Sequence, residues 1–456
     1  DVTARFRAYG WNVVQLGEIA NDMDALELAL LGAKEHQGQP TMCVLKSDIA
    51  FRSPDHTDNF EADGNPLTAD QIRATKQVMG IDDLPFWAPA NIVNSARTHA
   101  KERGRHFTAE YESNIRDSNQ TSETREEFDL AWNTPSSSTF AAKLPIFEAT
   151  TKLATRQAVQ KVLEASHPYM PGLVTGAADL TGNTGVKVPQ HLPHSKTHPE
   201  GRQIYFGIRE HAMGAAIVGM AMHGGIFPVS GTFFVFADYM RPAIRLAALS
   251  RAKAVFVFSH DSVGVGEDGP THQPIEQLAS LRAIPGLQVI RPADANETAR
   301  AWCAAVDFDG PTALILSRQG VPLVTDGSAV ATGAGIVADP DHLDAILIGT
   351  GSEVSLCLEA AEILAREAIG VRVVSMPSWD RFEQQPIDYR SMVLPIGVPT
   401  VSVEAGSTIG WSRYADDCIG IDRFGASAPG PVVLENLGIN VPHICDVVRL
   451  KLERAK

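Results

Sequence analysis

The densest group of reactive side chains lies between residues 204 and 273. Glu210 stands in an Arg-Glu-His run, directly before the apolar stretch 212–222. A carboxyl group beside apolar residues loses hydration, so it can hold a proton that water would otherwise remove. The other interpretation is a surface acid at a helix start, where the helix dipole favours negative charge. The residue alone leaves both open.

Three aromatic side chains follow at intervals of three residues, namely Phe233, Phe236 and Tyr239. This spacing is typical of one helix face that packs into a core. Aromatic rings also stack on flat ligands. The spacing does not decide between core packing and a ligand pocket.

The most specific pattern is HDSVGVGEDGPTHQP, residues 260–274, which places His260, Asp268 and His272 in a glycine-rich loop after an apolar run. Imidazole groups suit proton transfer at neutral pH. Any single histidine is more simply a structural one. Three polar side chains in one loop behind a strand favour a binding or catalytic site.

Arg156 and Arg318 are candidates for binding a phosphate group, because the planar guanidinium matches phosphate oxygens. Their alternative is an ordinary surface salt bridge. Two weaker patterns are interpreted as plain loops. Residues 53–64 are rich in acids but lack regular metal-ligand spacing, and IGTGSEV (348–354) lacks the nucleotide-binding glycine pattern.

Apolar runs that alternate with helical periodicity must position these residues. Such alternation predicts an α/β fold of three domains with mainly parallel sheets. Three polar residues each follow an apolar run, namely Asp179, His260 and Arg318. Ligands of open α/β sheets collect at the carboxyl ends of strands. We predict domains at 1–95, 142–322 and 335–456, a polar linker at 96–141 and a connecting loop near 321–341.

Composition narrows the function classes. The 456 residues carry a net charge of −15, which argues against nucleic acid and anionic membranes as partners. The five cysteines are scattered and form no CxxC pair, which is typical of reduced thiols in the cytoplasm. No apolar run reaches the roughly 18 residues that span a bilayer.

Beyond these residue-level patterns, the sequence resembles the transketolase family from RFRAYGW (5–11) to DRFGASAPG (422–430). The segments that carry the resemblance occur in family order: TKQVMG, LPFWAP, ATRQAV, GAADLTGNT, FGIREHAMG, GTFFVFADY, HDSVGVGEDGPTHQP, DGPTALILSRQ, GTGSEVSL, VVSMPS and DRFGAS. The resemblance implies reversible transfer of a two-carbon ketol unit from a ketose phosphate, such as xylulose 5-phosphate, to an aldose phosphate in the pentose phosphate pathway. It implies thiamine diphosphate and Mg²⁺ as cofactors and a homodimer with active sites between subunits.

The resemblance also names the domains and assigns roles. Residues 1–95 would be the C-terminal part of the diphosphate-binding domain, 142–322 the pyrimidine-binding domain, and 335–456 the C-terminal domain. Glu210 would activate the cofactor and His272 would assist proton transfer. The remaining cofactor contacts would be Asp179, Phe233, Phe236 and Tyr239. The sugar-phosphate contacts would be Arg156, Asn183, His260, Asp268, His272, Arg318 and the position of Asp63.

Three departures from the family pattern affect these expectations. Asp63 occupies the place of a family histidine, and an ionised carboxylate cannot donate a hydrogen bond. Asn183 replaces a serine. The family's Mg²⁺ motif would lie upstream of residue 1, so we expect this chain alone to bind the cofactor weakly and to need that segment for activity. A dihydroxyacetone synthase-like enzyme and a non-catalytic transketolase-like subunit remain as alternatives.

Overall fold

The computed structural model describes residues 1–117, 121–148 and 152–455. The chain divides near residue 119 into two units. The first unit contains a parallel pair of strands, β1 (Asn12–Gly17) and β2 (Thr41–Leu45). Its helices are α1 (Val2–Ala8), α2 (Met23–Glu35), α3 (Glu61–Gly64), α4 (Ala69–Met79) and α5 (Ala90–Asp117).

Local sequence explains several of these boundaries. Asp22 begins α2 because its carboxylate accepts a hydrogen bond from the backbone N–H of Ala25 at 3.0 Å. Thr68 and Gln71 form a capping box that begins α4, and Gly80 ends that helix in the left-handed conformation. Ser53 is the only buried side chain among residues 1–117, so this described part has no packed core of its own.

The second unit begins with a six-stranded parallel sheet in the order β4-β3-β5-β6-β8-β7. Its strands are β3 (Leu173–Ala177), β4 (Gln203–Tyr205), β5 (Phe227–Phe233), β6 (Val255–Ser259), β7 (Gln288–Ile290) and β8 (Thr312–Leu316). The helices around them are α6 (Ser122–Trp132), α7 (Thr155–Ser166), α8 (Glu210–His223), α9 (Ala237–Leu249), α10 (Gln277–Arg282) and α11 (Ala295–Asp307).

Both faces of this sheet are covered. Strand β6 is buried along its whole length, as expected for a parallel sheet between helices. Its alternate residues serve different cores: Val257 packs in the cluster with Trp302, whereas Phe256 packs in the cluster with Ile315. The rigid strands therefore fix the position of whatever follows their carboxyl ends.

A second sheet of five strands follows in the order β13-β12-β10-β11-β9. Its strands are β9 (Gly335–Ala338), β10 (Ala345–Gly349), β11 (Val371–Ser375), β12 (Thr400–Val403) and β13 (Asp417–Ile419). Its helices are α12 (Ala329–Thr332), α13 (Glu353–Ala365), α14 (Trp379–Glu383), α15 (Ile387–Val393), α16 (Gly430–Asn436) and α17 (Val441–Ala455). Only β9 runs antiparallel among these described strands, so the predicted fold class, α/β with mainly parallel sheets, is confirmed.

Two segments are more structured than the sequence indicated. The polar segment 96–141 contains most of α5 and all of α6, and its Phe140 is fully buried beside Tyr169. The expected loop near 321–341 contains α12 and β9. The domain boundaries themselves stay a prediction. Within the described ranges, no helix has the length and apolarity that crossing a membrane requires.

Candidate active site

The carboxyl ends of five neighbouring strands carry predicted site residues. Along the sheet they lie in this order: Glu210 begins α8 after β4, Asp179 follows β3 by two residues, Phe233 closes β5, His260 follows β6, and Arg318 follows β8 by two residues. Because the strands are parallel, these positions share one edge. The structure thus brings together the strand-end pattern that the sequence indicated.

Aromatic rings form a continuous group at the centre of this edge. Phe233 stacks on His260 with ring centroids 3.6 Å apart and on Phe236 at 5.9 Å. Phe236 meets the His272 ring edge-on at 5.5 Å and lies 5.9 Å from Tyr239. Tyr239 is 65% exposed and Phe236 is half-buried, so ring surface remains open to a flat ligand.

The interpretation of these aromatics as one helix face is wrong. Phe233 is the last residue of β5, Phe236 ends the short 3-10 helix Phe234–Phe236, and Tyr239 lies in the first turn of α9. The three-residue intervals between these aromatics therefore span three consecutive elements and do not mark one helix face. The change of direction after β5 places the rings at the sheet edge, where Phe233 is buried, Phe236 is half-buried and Tyr239 is exposed.

Two arginines form a cationic pair beside the rings. Arg156 lies in the first turn of α7 and donates from Nη1 to the carbonyl of Asn183 at 3.2 Å, while its buried Nε has no partner among the described residues. Burial lowers the pKa of Arg156, and the nearby Arg318 lowers it further. The salt bridges among the described residues include neither arginine. Unneutralised guanidinium groups at a strand edge suit an anionic ligand.

His260 is held in an unusual environment. Its side chain is 5% exposed, its φ is 63°, and its Nδ1 lies 2.9 Å from the hydroxyl of Ser259. Burial lowers its pKa to about 3, and the charges of Arg156, Arg318 and His272 add to that shift. His260 is therefore neutral at pH 7. It offers hydrogen bonds to a ligand, whereas the arginines supply the positive charge.

The glycine-rich loop carries the other two polar groups and places His272 beside the rings. Asp268 is exposed, and His272 is half-buried with its Nδ1 2.9 Å from the hydroxyl of Thr271. Gly266 has φ 89°, and a Cβ there would come within 3.0 Å of the Gly430 nitrogen. Glycine is therefore required at that turn. Asp63 lies exposed in α3 of the first unit, and its role stays a prediction.

The sequence did not single out the buried charges behind this loop. Asp261 accepts two hydrogen bonds from Arg291, at 3.0 Å from Nε and 2.8 Å from Nη2. The same guanidinium pairs with Glu353 of α13. The sequence pattern that could have identified them is the position of Arg291 directly after the apolar strand β7, comparable to that of Arg318, two residues after β8. No metal-binding group of three or more His, Cys, Asp or Glu occurs in the part of the chain that the structure describes.

Models of three protein families match the chain. Residues 1–134 match the transketolase thiamine diphosphate binding domain, residues 151–323 the transketolase pyrimidine binding domain, and residues 333–440 the transketolase-like C-terminal domain. Together these matches include every candidate site residue.

Similar proteins lead to the same family. The chain is 40% identical over 468 residues to a transketolase of Bacillus subtilis (strain 168), covering 100% of this chain and 70% of that protein. A solved transketolase from Leishmania mexicana has a TM-score of 0.90 at 37% identity, covering 100% of this chain and 68% of that one. A Pichia stipitis transketolase in complex with sedoheptulose 7-phosphate has a TM-score of 0.91 at 33% identity, covering 100% and 69%.

Proposed function

Because the chain belongs to the transketolase family, we propose that the carboxyl edge of its six-stranded sheet is the active site, with a cofactor end and a sugar-phosphate end. The protein's function is that of a transketolase, the reversible transfer of a two-carbon ketol unit from a ketose phosphate to an aldose phosphate with thiamine diphosphate as cofactor. The observation that carries the site assignment is the order of five candidate residues along one sheet edge.

The cofactor end comprises Glu210, Asp179 and the aromatic rings. When bound, thiamine diphosphate supplies the nucleophilic carbon that carries the two-carbon unit. The donor set fits the pyrimidine half of this cofactor, since a half-buried carboxyl and open ring faces share the edge. Glu210 would hold a proton against the pyrimidine ring, and Phe236 would stack on it. The described residues offer no metal cluster, so we assign no residue to Mg²⁺.

The sugar-phosphate end comprises the two arginines and the loop 260–272. Arg156 and Arg318 would bind the phosphate through charge-assisted hydrogen bonds. His260, neutral and stacked on Phe233, would contribute a further hydrogen bond. Asp268 would accept a bond from a substrate hydroxyl. The backbone carbonyl of Asn183 already accepts a hydrogen bond from Arg156, so Asn183 would contribute through its side chain.

His272 lies between the two ends. Its ring is 5.5 Å from that of Phe236 and 6.4 Å from that of Phe233, and it is close enough to His260 to lower that residue's pKa. This position suits transfer of a proton to or from the sugar near the cofactor. The unpaired arginines favour phosphorylated acceptors over the formaldehyde used by a dihydroxyacetone synthase-like enzyme.

Transketolases are usually dimers, and we infer a homodimer whose interface includes α8. This helix is apolar on all sides, yet Ala212, Ala215, Gly219 and Met222 are exposed along one face. Their spacing of three, four and three residues forms a stripe, and a Cβ at Gly219 would meet nothing within 4 Å. Such a stripe suits self-association about a two-fold axis. Glu210 at the start of the same helix would then lie beside the partner subunit.

The five cysteines are free. Unpaired thiols persist in reducing compartments, which supports the cytoplasm as the compartment in which this protein acts.

Substitution of Glu210 tests the site assignment. Transfer from xylulose 5-phosphate to ribose 5-phosphate is measured on the full-length protein with thiamine diphosphate and Mg²⁺ present, and cofactor affinity is measured by calorimetry on the same protein. Glu210→Gln should lower the transfer rate by about 10²- to 10⁴-fold, the usual contribution of a positioned acid or base, and should weaken cofactor binding. The exposed Glu200→Gln is the matched control. Unchanged rate and unchanged cofactor affinity in Glu210→Gln would contradict the assignment.

A further inference from the structure

The loop that carries His260, Asp268 and His272 is tied to the C-terminal domain (residues 335–455) by Gln273. This side chain is 2% exposed. Its Nε2 donates to the carbonyl of Gly266 inside the loop and to the carbonyl of Ala426 in the C-terminal domain, both at 2.9 Å. A third carbonyl, that of Val263, lies at 3.4 Å. One amide group therefore joins the start of the loop, its end and the neighbouring domain.

The segment 425–430 of the C-terminal domain is shaped to receive this loop. A Cβ at Gly425 would overlap the Gln273 Oε1, and one at Gly430 would lie 2.6 Å from the carbonyl oxygen of Gly264. Ser427 donates from its hydroxyl to the carbonyl of Glu267 at 2.6 Å. The two backbones approach so closely that side chains are excluded at two positions. This contact is more specific than ordinary surface packing.

A second anchor holds the beginning of the loop. Asp261, directly after His260, is bound by Arg291, and Arg291 is bound in turn by Glu353 of the C-terminal domain. All three side chains are buried. The loop is thus fixed at Asp261 and at Gln273, while the residues between them include Gly264, Gly266 and Gly269. Glycines lower the cost of bending but raise the entropy lost on ordering, so an external anchor is needed to hold one conformation.

We propose that Gln273 is a positioning residue for the transferase reaction. Its amide fastens the glycine-rich loop to residues 425–430 and thereby holds His272 beside His260 and Phe236 and fixes the position of Asp268 in the same loop. This inference rests on the proposed function, since it is the proposed sugar contacts that Gln273 would position. It also gives the C-terminal domain a defined part in the site, although none of the candidate site residues belongs to that domain.

Hydrogen exchange on the full chain measures the order of the loop directly. In Gln273→Ala, amides of residues 260–272 should exchange at least tenfold faster, equivalent to about 1.4 kcal/mol, while strands β5 and β6 keep their protection. Gln273→Met retains the volume but removes the donor, and it should behave like Gln273→Ala. Ser427→Ala is a milder variant that removes only the hydroxyl bond to Glu267. The control is Gln288→Ala, because Gln288 is equally buried but donates to Thr312 in β8 at 2.9 Å.

Affinity for xylulose 5-phosphate, measured by calorimetry on the same variants, links loop order to substrate. Both Gln273 variants should weaken binding by at least tenfold and leave thiamine diphosphate affinity unchanged; Gln288→Ala should change neither. The inference would be overturned if the loop amides of Gln273→Met kept the protection of the parent protein. It would also be overturned if these amides exchanged faster while the affinity for xylulose 5-phosphate stayed the same. Arg318→Met is measured in parallel. If this variant leaves the affinity for xylulose 5-phosphate unchanged, the proposed site is wrong. If it lowers that affinity while both Gln273 variants bind the sugar normally, only the positioning role of Gln273 is rejected.

Discussion

The carboxyl edges of the two sheets in the second unit differ in whether their charged side chains have partners. At the six-stranded sheet, the edge bears Arg156 and Arg318, which form no ion pair with any described residue, and exposed Asp179. At the five-stranded sheet, Glu404 follows β12 and is fully buried against Arg282 at 2.8 Å. The first edge is open and carries arginines without ion-pair partners among the described residues. The second edge is closed by fixed partners.

A left-handed φ occurs two residues after a strand at both edges, at different residue types. Asp179 follows β3 by two residues with φ 60°, and Gly351 follows β10 by two residues with φ 59°. A left-handed φ suits glycine and costs other residues roughly 1 kcal/mol or more. At the closed edge, glycine removes the strain and lets Arg291 approach. At the open edge the strain is retained, which is typical of a functional position. This difference supports our proposal that the open edge binds a ligand, whereas the closed edge has a structural role.

The largest effect is expected at Arg291, which follows β7 of the six-stranded sheet and pairs with Glu353 at the closed edge of the five-stranded sheet. Arg291→Met leaves the buried carboxylates of Asp261 and Glu353 without their cation, so the free energy of unfolding should fall by about 3–5 kcal/mol. Urea unfolding measures this loss of stability. Arg449→Met is the control, because Arg449 pairs with Glu367 at the surface and such pairs contribute only about 0–1 kcal/mol. Equal losses in the two variants would refute the distinction between a buried support and a surface pair.

A pH-dependent effect of about 3 kcal/mol is expected from Glu297 of α11, which contacts the closed edge. Its Oε1 accepts a bond from Ser375, the last residue of β11, at 2.6 Å. Burial raises its pKa to about 7, above the value of about 4.5 in an unfolded chain. The folded state therefore holds this proton longer, and stability falls as pH rises from about 4.5 to 7, by about 1.36 kcal/mol for each pKa unit of difference.

Glu297→Gln removes this titration. Urea unfolding of both proteins at pH 5 and pH 8 measures it, and the variant should gain stability relative to the parent at the higher pH. His260 titrates in both proteins, so its contribution cancels in the comparison. A parent and variant that share one pH dependence would show that Glu297 is ionised in the folded state.

The open edge was predictable from the sequence and the closed edge was not. Apolar runs such as VFVFS and TALIL identify buried strands, and the polar residue after each run must lie at the sheet edge, so His260 and Arg318 followed from local pattern. The closed edge depends on partners distant in the chain. Arg291 and Glu353 are 62 residues apart, and no local pattern indicates that a buried acid will meet a buried base.

Other misses have local causes. The rings of Phe233 and Phe236 have helical spacing, but a strand end and a 3-10 turn between them produce the same interval. Strand β9 has only four half-buried residues, so it lacks the apolar run that identified the other strands. The roles of the site residues still rest on the family resemblance and on the geometry of the edge.

A more moderate effect is expected at the open edge itself. Arg318→Met removes a guanidinium that has no described partner, so the free energy of unfolding should change by less than about 0.5 kcal/mol. Affinity for xylulose 5-phosphate should fall by about 10- to 100-fold, since a hydrogen bond to a charged group contributes about 1.5–3 kcal/mol. Calorimetry measures it, with the exposed Arg366→Met as control. A marked loss of stability with unchanged sugar affinity would make this edge structural, like the other one.

The smallest effect concerns the strained turn, and it should act on stability and binding in opposite directions. Asp179→Gly places at the open edge the residue that the closed edge already has, so the free energy of unfolding should rise by about 1 kcal/mol as the strain is relieved. Loss of the carboxylate should at the same time weaken thiamine diphosphate binding, which titration calorimetry measures.

Two further variants separate strain from charge. Ala368 has φ 61° in the turn after α13, away from both edges, so Ala368→Gly should give the same gain in stability with no change in cofactor affinity. Asp179→Asn removes the charge while asparagine tolerates the left-handed region, so it should weaken the cofactor without stabilising the fold. If Asp179→Gly stabilises the protein and leaves cofactor binding intact, the strain at this edge does not serve the ligand, and the two turns differ only in sequence.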